Sequence, residues 1–138
     1  MSNDLQRFVD AQAGTYEQAL AEINAGLKRS HWMWFIFPQI DGLGSSPTAR
    51  HYAIKSRDEA RAYLQHPVLG PRLLECAAAV LVIDAKSARD IFGTPDDLKL
   101  RSSATLFAAV SPKGSIFARL LDKYFGGEAD PRTLGLMS

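Results

Sequence analysis

Hydrophobic residues recur at intervals of three and four along most of the chain, which is the period of an amphipathic α-helix. The clearest stripe consists of Tyr16, Ala19, Leu20, Ile23 and Leu27. Thr15 and Gln18 stand at its start with the spacing of a capping box, in which a hydroxyl and an amide satisfy free main-chain groups of the first turn. The pattern therefore predicts an amphipathic helix of about three turns that begins after Thr15.

Signals for helix starts and stops recur along the chain. A serine followed three residues later by a carboxylate occurs at Ser56 with Glu59 and at Ser87 with Asp90. Asn3 can cap a short N-terminal helix, and Gly126 ends the last apolar stripe with a residue suited to a left-handed stop. These signals predict several short helices joined by short loops.

Two stretches complete the fold prediction. Residues 73–83 are apolar on nearly every side, which predicts a buried central helix. The aromatic and β-branched residues from Trp32 to Ile40 fit either a short buried strand or a buried helical turn. We therefore predict an all-α fold, a compact single-domain bundle over residues 1–138 with about six to eight short helices around a buried central helix.

Composition narrows the class of protein. The chain has 138 residues, of which 46% are hydrophobic, and a net charge of +1. These values are typical of one packed domain and exclude a disordered tail. The longest apolar run, from Cys76 to Ile83, is far shorter than the ~20 residues that span a bilayer. The N-terminus lacks a secretion signal, and the lone cysteine excludes an internal disulfide, so we expect a cytoplasmic protein.

Residues 28–57 differ from the rest of the chain in charge and in aromatic content. They contain five basic residues and one acidic residue, Asp41. Four large rings lie close together in them, at Trp32, Trp34, Phe35 and Phe37. Residues 42–47 follow as a loop of glycine, serine and proline. Rings, cations and a flexible loop with hydroxyl groups are together typical of a ligand pocket.

The pocket interpretation assigns ligand contacts to His31, Trp34, Gln39, Ser45, Ser46 and Tyr52. Aromatic walls would supply stacking faces, and main-chain donors freed by the glycines would hold a polar or phosphorylated group. The alternative is a core anchored by large rings, followed by a loop that turns on glycine and proline for main-chain reasons alone. The sequence leaves both interpretations open.

A second candidate group lies on a predicted helix further along the chain. Lys99, Ser102 and Ser103 are about one turn apart there, so they could present a cation and two hydroxyls to an anion. The alternative is that the serines are small contacts that let helices pack closely. No metal site is expected, because the histidines are widely separated and no cysteine lies near them. The sequence contains no motif for a cofactor, and no residue is assigned a catalytic role.

Several strings of residues carry a family resemblance. They are residues 28–39 (KRSHWMWFIFPQ), 42–44, 46–49, 52–54, 59–64, 66–70, 96–99, 102–107 and 124–127. Together they resemble a bacterial family of unknown function over essentially the whole chain. The resemblance implies a mainly helical single domain and no established activity. Some members carry the label calpastatin, which fits poorly because that class of inhibitor is disordered and this chain is built to pack.

A second resemblance is partial. Residues 48–52 and 134–137 are similar to signatures of small helical N-glycosidases that act on ADP-ribose-type and riboflavin-pathway nucleotides. That family has a glutamate where Arg50 stands, and a Trp-Gly pair where this chain has Phe125 and Gly126. Without the glutamate, this chemistry lacks a carboxylate to stabilise positive charge on the sugar. The resemblance therefore implies a class of ligand rather than a reaction.

These observations leave two main hypotheses. The first is a small-ligand protein, or an enzyme, with a pocket at residues 31–52 and with Lys99, Ser102 and Ser103 opposite. Its ligand would be a nucleotide, an ADP-ribose-like molecule or a sugar phosphate. The second is a non-enzymatic protein-interaction module with Trp32 and Trp34 exposed as a docking surface. Nucleic-acid binding is disfavoured, because the basic residues are few and no binding motif accompanies them. We expect no membrane partner, and the sequence names no protein partner.

Overall fold

A computed structural model describes residues 4–137 and confirms the all-α prediction. The helices are α1 (Gln6–Gln12), α2 (Tyr16–Asn24), α3 (Met33–Ile36), α4 (Pro47–His51), α5 (Arg57–Gln65), α6 (Leu69–Leu81), α7 (Ala88–Phe92), α8 (Asp96–Ala109), α9 (Ile116–Phe125) and α10 (Pro131–Met137). The described residues form ten helices and no strand, which is more helices than the six to eight expected, because helices as short as α3 and α4 leave no periodic signal in the sequence. The cap predicted at Asn3 lies outside the described residues.

Two long helices organise the bundle. α6 packs against α2, α5 and α9, whereas α8 packs against α5, α7, α9 and α10. A buried central helix is present as predicted, but it is α8 and not the helix over residues 73–83. α6 buries one face and leaves Leu74 46% exposed, whereas every residue of α8 from Ser102 to Phe107 is buried. Serine, alanine and threonine in this part of α8 are small enough to let its neighbours approach closely.

The aromatic segment that the sequence left open is part helix and part extended chain. After α3, Ile40 pairs with Ile54 in an isolated parallel bridge. The main-chain N–H of Asp41 donates to the Ile54 carbonyl, and that of Ile54 donates to the Gln39 carbonyl, each at 2.8 Å. The bridge closes the base of the loop formed by residues 41–53, which contains α4, and it fixes the main chain of Gln39.

The helix termini agree with most of the predicted capping residues. Ser87 and Asp90 form a complete capping box on α7, and the Ser56 hydroxyl caps α5. Gly126 ends α9 in the left-handed conformation, with a φ of 63°. Thr15 precedes α2 as expected, but its side chain makes no capping hydrogen bond, so the predicted box is absent there.

A buried carboxylate joins α2 to the chain that precedes α3. Glu22 accepts hydrogen bonds from the main-chain N–H groups of Arg29 and Ser30, at 2.7 and 3.0 Å, and from the Ser30 hydroxyl at 2.6 Å. The indole Nε1 of Trp32 donates to the same carboxylate at 2.9 Å. Trp32 is fully buried, so this bond fixes its ring in the core, while Trp34 two residues later is only half-buried.

A buried ion pair holds the other end of the loop. The Arg7 guanidinium lies 2.9 Å from the Glu59 carboxylate, and the two side chains are 7% and 6% exposed. Arg7 also donates to the carbonyls of His51 and Ala53, at 2.8 and 2.9 Å. Glu59 in turn accepts from the main-chain N–H of Lys55 at 3.0 Å. The pair therefore ties α1 and α5 to the residues with which the loop returns to the bundle.

The Glu22 carboxylate makes stability depend on acid pH. Burial raises its pKa, but the hydrogen bonds from Ser30, Arg29 and Trp32 outweigh burial and lower the pKa from 4.5 to about 2. Its contribution to stability is therefore complete above about pH 4.5 and is lost as the pH falls through about 2. We expect Glu22→Gln to lower the free energy of unfolding at neutral pH by about 1–3 kcal/mol, because buried donors lose their charged acceptor.

Denaturant unfolding of both proteins at a series of pH values measures this effect. The difference in unfolding free energy between wild type and Glu22→Gln should shrink as the pH falls across that range. Using the difference separates Glu22 from the other carboxylates, which titrate in both proteins. A difference that stays constant with pH would contradict the role given to this carboxylate.

Removal of the Arg7 guanidinium would leave the Glu59 carboxylate buried without its cation. We expect Arg7→Ala to lower the free energy of unfolding by about 3–5 kcal/mol. Arg61→Ala is the matched control, because Arg61 pairs with Asp58 at 3.0 Å on the surface, where the side chains are 49% and 88% exposed. The control should lose about 0–1 kcal/mol. Unfolding in urea measures both variants, and equal losses would contradict the role of Arg7.

Candidate functional site

A cleft of about 610 Å³ opens between the loop of residues 41–53, the first half of α8 and the start of α10. Its polar and charged lining residues are Gln39, Ser45, Ser46, Lys99, Arg101, Ser102, Asp130 and Arg132. Its apolar wall consists of Trp34, Leu43, Ala49, Pro95 and Leu98. A side pocket of about 280 Å³ adjoins the cleft and shares Trp34, Pro95 and Lys99 with it. An apolar wall with a few polar groups is typical of a small-molecule site.

Most of the residues predicted to contact a ligand come together here. Those that line the cleft are Trp34, Gln39, Ser45, Ser46 and Lys99. His31 lies in the side pocket, where it is exposed. Tyr52 lines a narrow crevice that also contacts Trp34 and Gln39, and its ring centre lies 5.3 Å from that of Phe35. The structure thus gathers these side chains around one region, and ligand binding by them stays a prediction.

Ser103 does not line the cleft. It is 1% exposed within α8, and its hydroxyl has no hydrogen-bond partner among residues 4–137. Ser102 lines the cleft instead and donates to the Asp130 carboxylate at 3.0 Å. Adjacent residues on a helix point about 100° apart, so one serine faces the cleft and the other packs inside. The packing interpretation therefore applies to Ser103, whereas presentation of the Ser102 hydroxyl to a ligand stays a prediction.

Four side chains in the cleft carry hydrogen-bond donors that no group within residues 4–137 accepts. They are the indole of Trp34, the amide of Gln39, the hydroxyl of Ser45 and the guanidinium of Arg132. Within residues 4–137, none of these side chains makes a hydrogen bond or an ion pair. The bridge at Ile40 fixes the main chain of Gln39 beside them. These donors are thus available to solvent or to the acceptor atoms of a ligand.

Lys99 lies between the cleft and the side pocket. Its ammonium is 4.9 Å from the centre of the Trp34 ring, close enough for a cation–π contact, and 3.3 Å from the Asp96 carboxylate. Asp96 also pairs with Lys28 at 2.8 Å. Because one carboxylate is shared by two ammonium groups, Lys99 is only partly neutralised and can attract an anionic ligand.

The sequence interpretation missed three charged residues of the cleft, Arg101, Asp130 and Arg132. Arg101 donates to the carbonyls of Glu128 and Ala129, at 2.9 Å each, which ties α8 to the chain before α10. Tertiary contacts between α8 and the chain at the start of α10 bring α10 to the cleft, so no local pattern reveals it. A signal for Asp130 did exist, because an aspartate followed directly by a proline is typical of a helix start.

Asp130 is held firmly at the start of α10. Its Oδ2 accepts hydrogen bonds from the hydroxyls of Ser102 and Thr133, at 3.0 and 2.6 Å, and from the Thr133 N–H at 3.3 Å. Burial raises the pKa of this carboxyl, but hydrogen bonds from Thr133, Ser102 and the main chain of Arg132 outweigh it and hold the pKa below its usual range. The cleft therefore combines one ionised carboxylate with three cations.

The loop approaches α4 closely on one side of the cleft. A Cβ atom at Gly44 would lie 2.6 Å from that of Ala49, so the chain can fold back on α4 only without a side chain at this position. The Ser46 hydroxyl caps α4 by accepting from the Ala49 N–H at 3.1 Å, which leaves its own O–H able to donate. The loop thus places two hydroxyl groups, those of Ser45 and Ser46, at the cleft wall.

Three further features bear on function. None of the helices within residues 4–137 combines the length and the apolar character that a membrane span requires. The same part of the chain has no group of three or more His, Cys, Asp or Glu side chains placed to hold a metal ion. Cys76 is buried in α6, and burial raises the pKa of its thiol to about 12, which makes it a poor nucleophile.

Comparison with known proteins gives one relative of solved structure and one family. No functionally curated protein matches the chain. The crystal structure of the conserved hypothetical protein Rv1873 from Mycobacterium tuberculosis is similar, with a TM-score of 0.95 and 55% sequence identity over 97% of this chain and 96% of that one. Neither this relative nor the family supports the calpastatin label. The family described as "Protein of unknown function (DUF1810)" matches residues 2–137, and the chain therefore belongs to the DUF1810 family.

Proposed function

We propose that the cleft binds a small phosphorylated ligand, such as a nucleotide, an ADP-ribose-like molecule or a sugar phosphate. The observation that carries this proposal is the set of unused donors on Trp34, Gln39, Ser45 and Arg132 around one cleft. Phosphate oxygens are strong acceptors and satisfy several such donors at once. A volume of about 610 Å³ is in the range of small-molecule sites.

The charges of the cleft support an anionic ligand. Lys99, Arg101 and Arg132 line it against the single carboxylate of Asp130. The Arg101 guanidinium is engaged by two carbonyls and contributes a fixed positive charge, whereas the Arg132 guanidinium is unpaired within residues 4–137. An unpaired guanidinium can bind a phosphate with two parallel hydrogen bonds. We therefore assign the phosphate to the part of the cleft near Arg132.

Trp34 is the candidate for contact with the ring of the ligand. It is half-buried, and it lines both the cleft and the side pocket. A flat ring that stacks on the indole gains dispersion and hydrophobic contact. The Lys99 ammonium lies over the indole and keeps Asp96 as a second partner, so it can shift toward Asp96 when a ring approaches.

The proposal is one of binding, and we assign no reaction to the cleft. A cytoplasmic location is part of the same proposal, because a single free thiol, that of buried Cys76, suits a reducing compartment. The alternative function, a protein-docking surface built on two exposed tryptophans, has less support. Trp32 is fully buried and bonded to Glu22, so Trp34 alone remains for such a surface.

Binding is tested with Arg132→Ala and a panel of adenosine monophosphate, ADP-ribose and ribose phosphate. We expect at least one member to stabilise the wild-type protein, by about 2.7 kcal/mol at about 100 times its dissociation constant. Arg132→Ala should weaken that binding about ten- to hundredfold, because a charge-assisted hydrogen bond is lost. Thermal shift and calorimetry measure the two effects. A flat response to the whole panel would overturn the proposal.

Arg119→Ala is the matched control for this substitution. Arg119 is exposed on α9 and does not line the cleft, so its removal changes the net charge of the protein equally. Affinity should be unchanged in this variant. An equal loss in both variants would mean that overall charge, and not the cleft, attracts the ligand.

Trp34 gives an independent optical test. Trp32 is sealed in the core, so we expect quenching of fluorescence by acrylamide to arise mainly from Trp34. The ligand that stabilises the protein should shield this emission, and Trp34→Phe should abolish the shielding. Quenching that is unchanged by a saturating ligand would contradict a position of the ligand against Trp34.

A further inference from the structure

The cleft has an apolar end that a site for phosphate alone does not require. Of the large apolar side chains that are exposed within residues 4–137, Leu98 is the one that lines the cleft, and it is 55% exposed. A single exposed leucine is ordinary on a protein surface. Here Trp34, Leu43 and Pro95 line the same cleft, so four apolar side chains lie together in one concave site. Such a patch is typical of a surface that a ligand covers.

Packing and helix formation do not account for a leucine at position 98. Leu98 belongs neither to the buried core nor to the partly buried residues that pack against it, whereas Leu43 does pack against the core. The helix does not need leucine here either, since lysine, glutamine and glutamate have nearly the same helix propensity. The side chain of Leu98 is therefore available for contact with a ligand in the cleft.

The face of α8 that lines the cleft changes from apolar to polar along the helix. Pro95 and Leu98 lie at its start, and Ser102 follows one turn later. The Ser102 hydroxyl lies 3.0 Å from the Asp130 carboxylate, and Arg132, to which we assign the phosphate, follows two residues further along the chain. Because an α-helix rises about 1.5 Å per residue, Leu98 and Ser102 are about 6 Å apart along the axis. The apolar end and the phosphate end are thus about one helical turn apart.

We propose that the cleft selects nucleotides over simple sugar phosphates, with the base against Leu98, Pro95 and Trp34 and the phosphate at Arg132. This inference rests on the proposed function, because it concerns the same cleft. In a nucleoside monophosphate a single sugar separates the base from the phosphate, so one such molecule reaches both ends. A sugar phosphate without a base fills the polar end only and leaves the apolar side chains in water. Leu98 is then a residue that determines specificity.

Lys99 lies on the same turn as Leu98, and its position favours a base over an aliphatic chain. Its ammonium is 3.3 Å from the Asp96 carboxylate and 4.9 Å from the centre of the Trp34 ring. A cation beside a flat ring is favourable, and the nitrogen and oxygen atoms of a base can accept its hydrogen bonds. An aliphatic chain has neither property. The apolar end therefore suits an aromatic base.

The test compares adenosine monophosphate with ribose phosphate, which lacks the base. We expect the wild-type protein to bind adenosine monophosphate about ten- to hundredfold more tightly, as for a base that stacks on an aromatic side chain. Leu98→Ala removes three carbon atoms from the cleft wall and keeps a strong helix former. It should lower the affinity for adenosine monophosphate about three- to tenfold, because each methylene group withdrawn from water contributes about fourfold. The affinity for ribose phosphate should stay unchanged. Calorimetry gives the four affinities.

Leu74→Ala is the matched control. Leu74 is 46% exposed on α6 and does not line the cleft, so the substitution removes the same atoms from a site of similar exposure. Both affinities should be unchanged in this variant. Thermal unfolding establishes that each variant is folded.

Three results would overturn the inference. They are equal affinity of the wild type for the two phosphates, a Leu98→Ala variant that weakens both to the same extent or neither, and an equal loss in Leu74→Ala. If the wild type binds ribose phosphate as tightly as adenosine monophosphate, only the role of the apolar end fails and the phosphate site stands. If it binds neither, the proposed function itself fails.

Discussion

The carboxylate of Glu22 decides which of two neighbouring tryptophans enters the core. Hydrophobicity alone cannot make this choice, because nearly every side chain between Trp32 and Phe37 is large and apolar. A hydrogen bond to the Trp32 indole makes it, since a buried indole N–H needs an acceptor and Glu22 supplies one. The same carboxylate holds the chain at Arg29 and Ser30. Because the hydrogen bond to Glu22 holds Trp32 in the core, Trp34 is the tryptophan that lies on the cleft wall.

The sequence predicted the class of the fold and the main segment of the site, because both depend on local patterns. Helical periodicity and serine caps identify helices such as α5, α7 and α9. They do not report how deeply a helix is buried. α8 is the enclosed helix although its middle is made of serine, alanine and threonine, whose small size matters more than their polarity. The more apolar α6 buries one face only.

The cleft was predictable only in part, for a related reason. Trp34, Gln39 and Ser45 lie close together in sequence, so composition points to them at once. Arg101 and Asp130 reach the site through packing of α8 against α10, a contact between distant parts of the chain. No pattern within either helix indicates this packing. The choice between Ser102 and Ser103 also depends on the rotation of α8, which periodicity leaves undetermined for so mixed a helix.

The residues of the cleft fall into two groups that would contribute differently to the proposed binding. Arg101, Ser46 and Asp130 are each held by protein hydrogen bonds, so their positions are set before a ligand arrives. Trp34 and Arg132 carry donors that remain unengaged within the described residues. Preorganised charges reduce the ordering that binding requires, and only flexible side chains such as that of Arg132 have to be immobilised.

The parallel bridge between Ile40 and Ile54 has a consequence for how this fold diversifies. Two main-chain hydrogen bonds hold the ends of the loop of residues 41–53 together. These bonds do not depend on the side chains within the loop. Exchanges of side chains at its tip then leave the bundle untouched, and lengthening it adds little closure entropy. Under the proposed function, exchanges in this loop would change the ligand preference of the cleft while the helical scaffold stays the same.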